Sequence, residues 1–139
     1  MLSVPDKKAV FPMLRDIPLF SSLDVNGLDN VANSAERRDY EAGTIIAKEG
    51  ERALIFFLIL NGAVEVRRGG KVLANLEPGR FFGEMSLFDN QARSADVVAT
   101  EDTSCILLTS RSLARVIAGN PKMQLRHKEG LYVPKKEAL

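Results

Sequence analysis

The segment RFFGEMSLFDNQARSADVVA, residues 80–99, is the most informative part of the chain. It opens with an apolar pair typical of a strand, and Gly83 and Glu84 follow directly. The next four residues, 85–88, are enough for one helical turn. A polar loop then leads to residues 93–95 and to a second strand that carries two valines. The predicted order of elements is therefore strand, glycine, short helix, loop and strand.

The residue types in this segment suit one kind of ligand. A glycine lets the backbone approach a bound molecule closely, and the first N–H groups of a short helix favour an anion. Arg93 carries a fork of donors that suits phosphate oxygens, and Ser94 adds a neutral hydroxyl donor beside it. Glu84 repels phosphate, but its carboxylate is a good acceptor for a sugar hydroxyl. Together these groups match a singly charged phosphodiester attached to a ribose.

The sequence pattern changes twice along the chain. Residues 1–36 have helically spaced apolar side chains, residues 37–109 consist of short apolar runs separated by glycines, and residues 110–139 return to the helical period. We interpret these parts as an N-terminal helical segment, a β-structure, and C-terminal helices with a tail, all within one domain. Strand-sized runs with frequent turn residues favour an antiparallel sandwich, barrel or roll.

The ends of the helices are predicted from capping and helix-breaking residues. Asp24 is predicted to cap a helix whose apolar residues recur every three or four positions. Ser110 is predicted to cap a second helix, which Gly119 ends. Pro12 and Pro18 are predicted to divide the first apolar stretch into short helical turns, because proline interrupts the hydrogen bonds of a continuous helix.

Three patterns inside the β-structure make specific predictions. Residues 67–71 are predicted to form a hairpin tip between strands at 63–66 and 72–76. Residues 54–60 are apolar without alternation, which predicts a strand buried on both faces. Cys105 lies inside another apolar run and is predicted to be an inert core thiol.

The composition excludes several classes of protein. The 139 residues are 45% hydrophobic and 27% charged, as in an ordinary globular domain, and the net charge of +1 argues against a nucleic-acid-binding surface. One cysteine and one histidine argue against a disulfide framework and against an ordinary zinc or iron site. The longest apolar run is far shorter than the ~20 residues of a membrane helix, and residues 1–14 show no apolar signal core followed by a small-residue cleavage site. We therefore expect a cytoplasmic protein without membrane insertion.

The segment at residues 82–95 resembles the phosphate-binding cassette of the cyclic nucleotide-binding domain family. In that cassette a Gly-Glu pair precedes a short helix, and an Arg-Ser/Thr/Ala-Ala run follows it. The nine-residue step from Glu84 to Arg93 is the commonest spacing in the family. The resemblance extends over residues 17–123, which include similar N-terminal helical residues, β-roll glycines and a similar following helix. A motif of this length in its strand–turn–strand setting is a far stronger signal than a lone fingerprint.

The resemblance implies an α+β fold that is mainly β, with an antiparallel eight-stranded β-roll, similar to a jelly roll, flanked by N-terminal and C-terminal helices. It implies a regulatory sensor that binds cyclic AMP or cyclic GMP and changes the conformation of its C-terminal helices. The Arg93-Ser94 pair slightly favours cyclic AMP. The ligand-binding residues that it implies are Phe82, Gly83, Glu84, Met85, Ser86, Arg93, Ser94 and Ala95.

The family also covers the bound purine with a C-terminal helix or a residue from a neighbouring element. Here Gly130 and Pro134 limit that helix, so the base is expected to be poorly covered unless Leu131 or Tyr132 folds back over it. Tyr132 is the better candidate for such a lid because aromatic rings stack on bases. The alternative is that the tail after Gly130 is a frayed chain end. The cyclic nucleotide is the expected small-molecule partner, together with a protein effector in trans or an output domain outside this sequence. No catalytic residue, metal or further cofactor is expected, because the sequence offers no activated nucleophile and no paired carboxylates.

Three alternatives belong to other classes of protein. A small β-barrel enzyme of the cupin type would need several histidine and glutamate ligands around a metal, and a single histidine nearly excludes it. A non-catalytic scaffold would keep the same fold and act only by protein contact. The third alternative is a fragment of a larger cyclic nucleotide-regulated channel, kinase or transcription factor. The sequence does not decide between these interpretations.

Overall fold

The computed structural model describes residues 2–51, 55–83 and 93–119, in which helices come first, then strands, then a last helix. The helical elements are α1 (Val4–Arg15), a 3-10 turn (Pro18–Phe20), α2 (Val25–Ser34) and α3 (Ser110–Ala118). The strands are β1 (Glu36–Tyr40), β2 (Ile45–Ala47), β3 (Ile55–Asn61), β4 (Val64–Arg68), β5 (Lys71–Leu76), β6 (Phe81–Phe82), β7 (Asp96–Ala99) and β8 (Thr103–Thr109).

The helix ends follow from local capping, with one change from the prediction. The Asp24 carboxylate accepts a hydrogen bond from the backbone N–H of Gly27 at 2.9 Å, so the predicted cap of α2 is confirmed. The prediction that Ser110 caps α3 is wrong, because the hydroxyl of Thr109 accepts from the N–H of Ser112 at 3.1 Å. A capping residue needs extended backbone, and Thr109 has it as the last residue of β8. Gly119 ends α3, as predicted.

The predicted break at Pro12 is also wrong, since α1 runs through this proline. The hydroxyl of Ser3 caps the helix by accepting from the N–H of Asp6 at 3.2 Å. Val10 and Leu14, one turn apart, are buried in the core, while Pro12 lies on the exposed face. The packing of that buried face stabilises the helix more than one missing hydrogen bond destabilises it. The short helical turn predicted at Pro18 is present as the separate 3-10 turn Pro18–Phe20, which follows the end of α1.

The eight described strands form two antiparallel four-stranded sheets, in the orders β1-β8-β3-β6 and β2-β7-β4-β5. Their inward faces pack on each other to form one apolar core, which we call the roll core. The other face of the first sheet packs under the helices to form a second core, which we call the helical core. The predicted β-roll with flanking helices is therefore confirmed.

The strand β3 separates these two cores. Phe57 and Ile59 belong to the roll core, whereas Phe56, Leu58 and Leu60 belong to the helical core, because successive side chains point to opposite faces of a strand. The prediction of a strand buried on both faces over residues 54–60 is confirmed for residues 56–60, while Ile55 is half-buried and residue 54 lies outside the described residues. The lack of alternation in the sequence has this physical cause, since neither face of β3 meets water over residues 56–60.

The hairpin of β4 and β5 is built by two glycines. Gly69 and Gly70 have φ values of +57° and +79°, so the two-residue loop requires left-handed backbone at both positions. The last strand pair before the turn is Arg68 with Lys71, which places the strands closer to the tip than the sequence predicted. Glycine tolerates this backbone without a clash, and the twist of the tight turn then matches the twist of the strands.

The thiol of Cys105 is fully buried in the roll core. Burial raises its pKa to about 12, because desolvation disfavours the thiolate. The thiolate is the reactive form of cysteine, so this residue packs as a small apolar side chain, as predicted.

Candidate ligand-binding site

The two described ends of the predicted cassette lie against each other at one end of the roll. Gly83 directly follows β6 in one sheet, and Arg93 precedes β7 in the other sheet. A Cβ atom placed on Gly83 would lie 2.7 Å from Nη1 of Arg93. The fold therefore brings the glycine and the arginine of the motif together across the roll.

Gly83 is required at its position for two reasons. Its φ of +88° belongs to the left-handed region, which side chains with a Cβ atom rarely adopt. A Cβ atom would also lie 2.5 Å from the carbonyl oxygen of Ile55, which is a backbone atom and not a flexible side chain. The absence of a side chain lets β6 pass close to β3 and leaves room for the guanidinium of Arg93.

Arg93 is held in the roll by three kinds of contact, two through its guanidinium and one through its backbone. Its Nη2 donates a hydrogen bond to the carbonyl oxygen of Ile55 at 2.9 Å. Its Cζ lies 5.3 Å from the ring centroid of Phe57, which is a cation–π geometry. The backbone N–H of Arg93 donates to the carbonyl of Glu51 at 2.8 Å, and its carbonyl accepts from the N–H of Gly50 at 2.9 Å. The side chain is only 3% exposed, so its orientation is fixed by packing as well as by polar contacts.

The ring of Phe57, which the guanidinium contacts, is itself stacked on a second aromatic ring. Phe57 and Phe82 are direct partners in the β3–β6 ladder, with ring centroids 4.6 Å apart and an interplanar angle of 10°. Phe82 is fully buried in the roll core. This predicted ligand-binding residue therefore supports Arg93 through Phe57.

The charge of Arg93 lies in an environment that disfavours it. Burial lowers the pKa of this guanidinium from its ordinary value, and the carboxylate of Glu51 acts in the opposite direction. Arginine nevertheless stays protonated in proteins, so the site holds a positive charge away from bulk water. An anion bound against the guanidinium stabilises that charge in the same way as Glu51 does.

The other predicted site residues divide into two groups. Ala95 is buried in the roll core, and Ser94 is exposed, with its carbonyl oxygen accepting a hydrogen bond from Nε of Arg68 at 2.8 Å. Five further residues lie outside the described residues and remain predictions: Glu84, Met85, Ser86, Leu131 and Tyr132.

Sequence reasoning missed four residues that hold the site: Glu51, Ile55, Phe57 and Arg68. The bond from Arg93 to Ile55 spans 38 residues and the bond from Arg68 to Ser94 spans 26, so no local pattern encodes either. Two of the four contribute a backbone carbonyl, which any residue type supplies. The sequence signal that could have indicated Arg68 is the cluster of basic residues at the hairpin tip, residues 67–71.

Two negative findings concern metals and membranes. In the described ranges, no cluster of three or more His, Cys, Asp or Glu side chains is arranged to hold a metal ion. No helix within the same ranges is long and apolar enough to cross a membrane.

Fold and site together define the class of protein. It is a β-roll with a buried arginine and a glycine in left-handed backbone conformation at the candidate site, and helices cover the outer face of its first sheet. The family model described as "Cyclic nucleotide-binding domain" matches residues 37–120. This range includes the roll except its first residue, Glu36, together with the cassette, and the chain belongs to the cyclic nucleotide-binding domain family.

Relatives of known identity agree with this assignment. The chain is 32% identical over 128 residues to a cAMP-dependent protein kinase regulatory subunit from Mycosarcoma maydis, which covers 86% of this chain and 24% of the relative. It is 38% identical over 100 residues to the cyclic AMP receptor protein of Thermus thermophilus, which covers 68% of this chain and 46% of the relative. The chain therefore spans less than half the length of each of these relatives.

A solved structure supports the fold. The regulatory domain of Toxoplasma gondii PKA, co-crystallised with cAMP, superposes with a TM-score of 0.78 at 24% identity, covering 84% of this chain and 46% of that chain. At this level of identity the similarity extends to the arrangement of strands and helices.

Proposed function

We propose that this chain is a regulatory module that binds a 3′,5′-cyclic purine nucleotide at the end of its β-roll and does not transform it. The observation that carries the proposal is the buried guanidinium of Arg93, held over Phe57 and against Gly83. Family membership and the two relatives named for cyclic AMP support the same ligand class.

The chemistry of a cyclic phosphodiester matches this arrangement. It carries one negative charge, which Arg93 complements with two parallel donors on a planar fork. Its ribose offers a 2′-hydroxyl, for which the carboxylate of Glu84 is the proposed acceptor. Water is largely excluded around Arg93, so the charge pair is stronger there than on an open surface.

The regulatory part of the proposal concerns the helices. The buried residues of α3, Leu113 and Val116, belong to the helical core, which lies on the opposite face of the sheet that carries Phe57 and Phe82. Ligand binding is proposed to change the conformation of the C-terminal helices through this core. The output then passes to a protein effector in trans or to a further domain, as in a larger channel, kinase or transcription factor.

Isothermal titration calorimetry with cyclic AMP and cyclic GMP tests the proposal. We expect both nucleotides to bind and cyclic AMP to bind slightly more tightly. If cyclic GMP binds as tightly as cyclic AMP or more tightly, the predicted preference for cyclic AMP is wrong, but the proposed binding of a cyclic nucleotide stands. If the folded protein binds neither, the proposed function is wrong, and a scaffold that acts only by protein contact becomes the better description.

Replacing Glu84 with alanine is expected to weaken binding of cyclic AMP less than the loss of Arg93 does. A hydrogen bond to a charged acceptor contributes about 1.5–3 kcal/mol, which corresponds to roughly a 10- to 150-fold change in Kd. The variant should also bind cyclic AMP and its 2′-deoxy analogue with similar affinities. If the unmodified chain already binds the two equally, Glu84 does not contact the 2′-hydroxyl.

Truncation after Glu129 removes both predicted lid residues, Leu131 and Tyr132. Stacking of a base on an aromatic ring contributes about 1–3 kcal/mol, so a lid built from Tyr132 predicts a roughly 5- to 150-fold weaker Kd for cyclic AMP in the truncated chain. Tyr132→Ala in the full chain should give the same loss. Unchanged affinity in both variants means that this segment does not cover the base.

A further inference from the structure

Arg68 is the last residue of β4 and contacts the proposed ligand site from outside the predicted motif. Its Nε donates a hydrogen bond to the carbonyl oxygen of Ser94 at 2.8 Å. Ser94 directly follows Arg93 in the chain. This contact therefore joins the β4–β5 hairpin to the backbone of the phosphate-binding residues.

The position of this bond follows from the end of the strand ladder. The last pair between β4 and β7 is Arg67 with Asp96, and the same register continued would place Gly69 opposite Ser94. Gly69 already belongs to the turn, with a φ of +57°, so the hairpin backbone has left the plane of the ladder at this level. The side chain of Arg68 supplies the donor that the ladder no longer provides for the Ser94 carbonyl.

The neighbouring residue Arg93 is held from the opposite side. Its N–H donates to the carbonyl of Glu51, and its carbonyl accepts from the N–H of Gly50. One flank of residues 93–94 is therefore fixed by two backbone hydrogen bonds, and the other flank is held by the side chain of Arg68.

Arg67 offers a direct contrast one residue earlier in the same strand. Its Nη2 lies 2.7 Å from the carboxylate of Glu65, so it forms an ion pair within its own strand. Arg68 instead donates to a neutral carbonyl of another element. The two arginines share strand, charge and size but differ in partner, and this makes Arg67 a matched control.

We propose that Arg68 is a positioning residue of the ligand site, which holds Ser94 so that the Ser94 hydroxyl stays beside Arg93 as a second donor to the phosphate. The inference rests on the proposed function, since the hydroxyl has this role only with a bound phosphodiester. It adds the β4–β5 hairpin to the elements on which affinity depends.

Titration with cyclic AMP of the full chain and of four variants tests this role. We expect Arg68→Ala to raise Kd about tenfold, the loss of one well-placed hydrogen bond, and Arg67→Ala to change it less than about twofold. Arg68→Gln should recover most of the affinity, because its amide nitrogen is separated from Cα by the same number of bonds as Nε of arginine. Arg68→Lys keeps the charge but has no donor at that position, so we expect it to bind as weakly as Arg68→Ala.

A double-mutant cycle separates positioning from a general effect on stability. In a Ser94→Ala background, Arg68→Ala should cause little further loss of affinity, because the hydroxyl that it positions is already absent. Thermal unfolding of each variant is measured in parallel. Losses of affinity that add, or that follow the melting temperature, overturn the positioning role.

The remaining outcomes are equally decisive. If the full chain binds cyclic AMP and Arg68→Ala binds as Arg67→Ala does, the inference fails and the proposed function stands. If Lys rescues affinity and Gln does not, the charge of Arg68 matters and its hydrogen bond does not, which also overturns the inference. If the folded full chain binds no cyclic nucleotide, the proposed function and this inference fail together.

Discussion

Arg93→Ala is expected to weaken binding of cyclic AMP roughly 30-fold to 4,000-fold, the largest loss of any single substitution in this chain. Removing one partner of a desolvated charge pair costs about 2–5 kcal/mol, because the other charge is left without compensation. The side chain is 3% exposed and fixed over Phe57, so water replaces it poorly as a partner of the phosphate. The measurement is a calorimetric titration of the variant beside the unmodified chain.

Two control variants make this result specific. Arg38→Ala removes an arginine from β1 whose side chain is 54% exposed, and it should leave Kd unchanged. Arg93→Lys keeps a positive charge but loses the planar fork, so we expect an intermediate Kd. Unfolding of all three variants by denaturant identifies any loss that comes from stability. Binding of cyclic AMP by a folded Arg93→Ala variant at unchanged affinity would exclude Arg93 as the phosphate ligand.

Gly83→Ala is expected to weaken cyclic AMP binding by up to the loss expected for Arg93→Ala, and to destabilise the fold. The left-handed backbone strains an alanine by about 1–3 kcal/mol. The new methyl group would also lie 2.5 Å from the carbonyl oxygen of Ile55 and 2.7 Å from Nη1 of Arg93, so β3, β6 or the guanidinium must move. Displacement of the guanidinium should weaken cyclic AMP binding to the extent expected for Arg93→Ala.

Gly79→Ala is the matched control for this substitution. Gly79 has a φ of +92°, close to the +88° of Gly83, but a Cβ atom there would have no heavy atom within 4 Å. Its variant should lose only the backbone contribution, about 1–3 kcal/mol of unfolding free energy, and keep its affinity for cyclic AMP. Equal losses of stability and equal affinities in the two variants would mean that the close approach at Gly83 has no role in the site.

Much of the fold follows from local sequence because its causes are local. The unbroken apolar run of β3 reflects a strand covered on both faces, and the Gly69-Gly70 pair between two strands favours a two-residue turn. The wrong prediction at Pro12 has a non-local cause, because packing against the core overrides the local preference of proline. Pro12 does not end α1, since the buried residues around it bind the helix to the core.

The candidate site was predictable in part. Gly83, Arg93 and Ser94 stand in a recognisable order along the chain, so the motif alone indicates them. The contacts that hold Arg93, to the carbonyl of Ile55 and the ring of Phe57, depend on the registers of strands far apart in sequence. Those registers shift at irregularities, such as the one between Ile59 and Asn61, which apolar patterning does not specify.

The alternation of phenylalanines on β3 and β6 has a mechanical consequence. Phe57 and Phe82 stack beneath the arginine, while their chain neighbours Phe56 and Phe81 stack on the opposite face, with centroids 5.8 Å apart, and Phe56 meets Phe20 edge-on. Consecutive Cα atoms are only about 3.8 Å apart, and a close-packed interior is nearly incompressible. A small rotation of β3 and β6 at the proposed ligand site would therefore move the ring of Phe56 against Phe20 by a similar amount. No relay of intermediate side chains is needed.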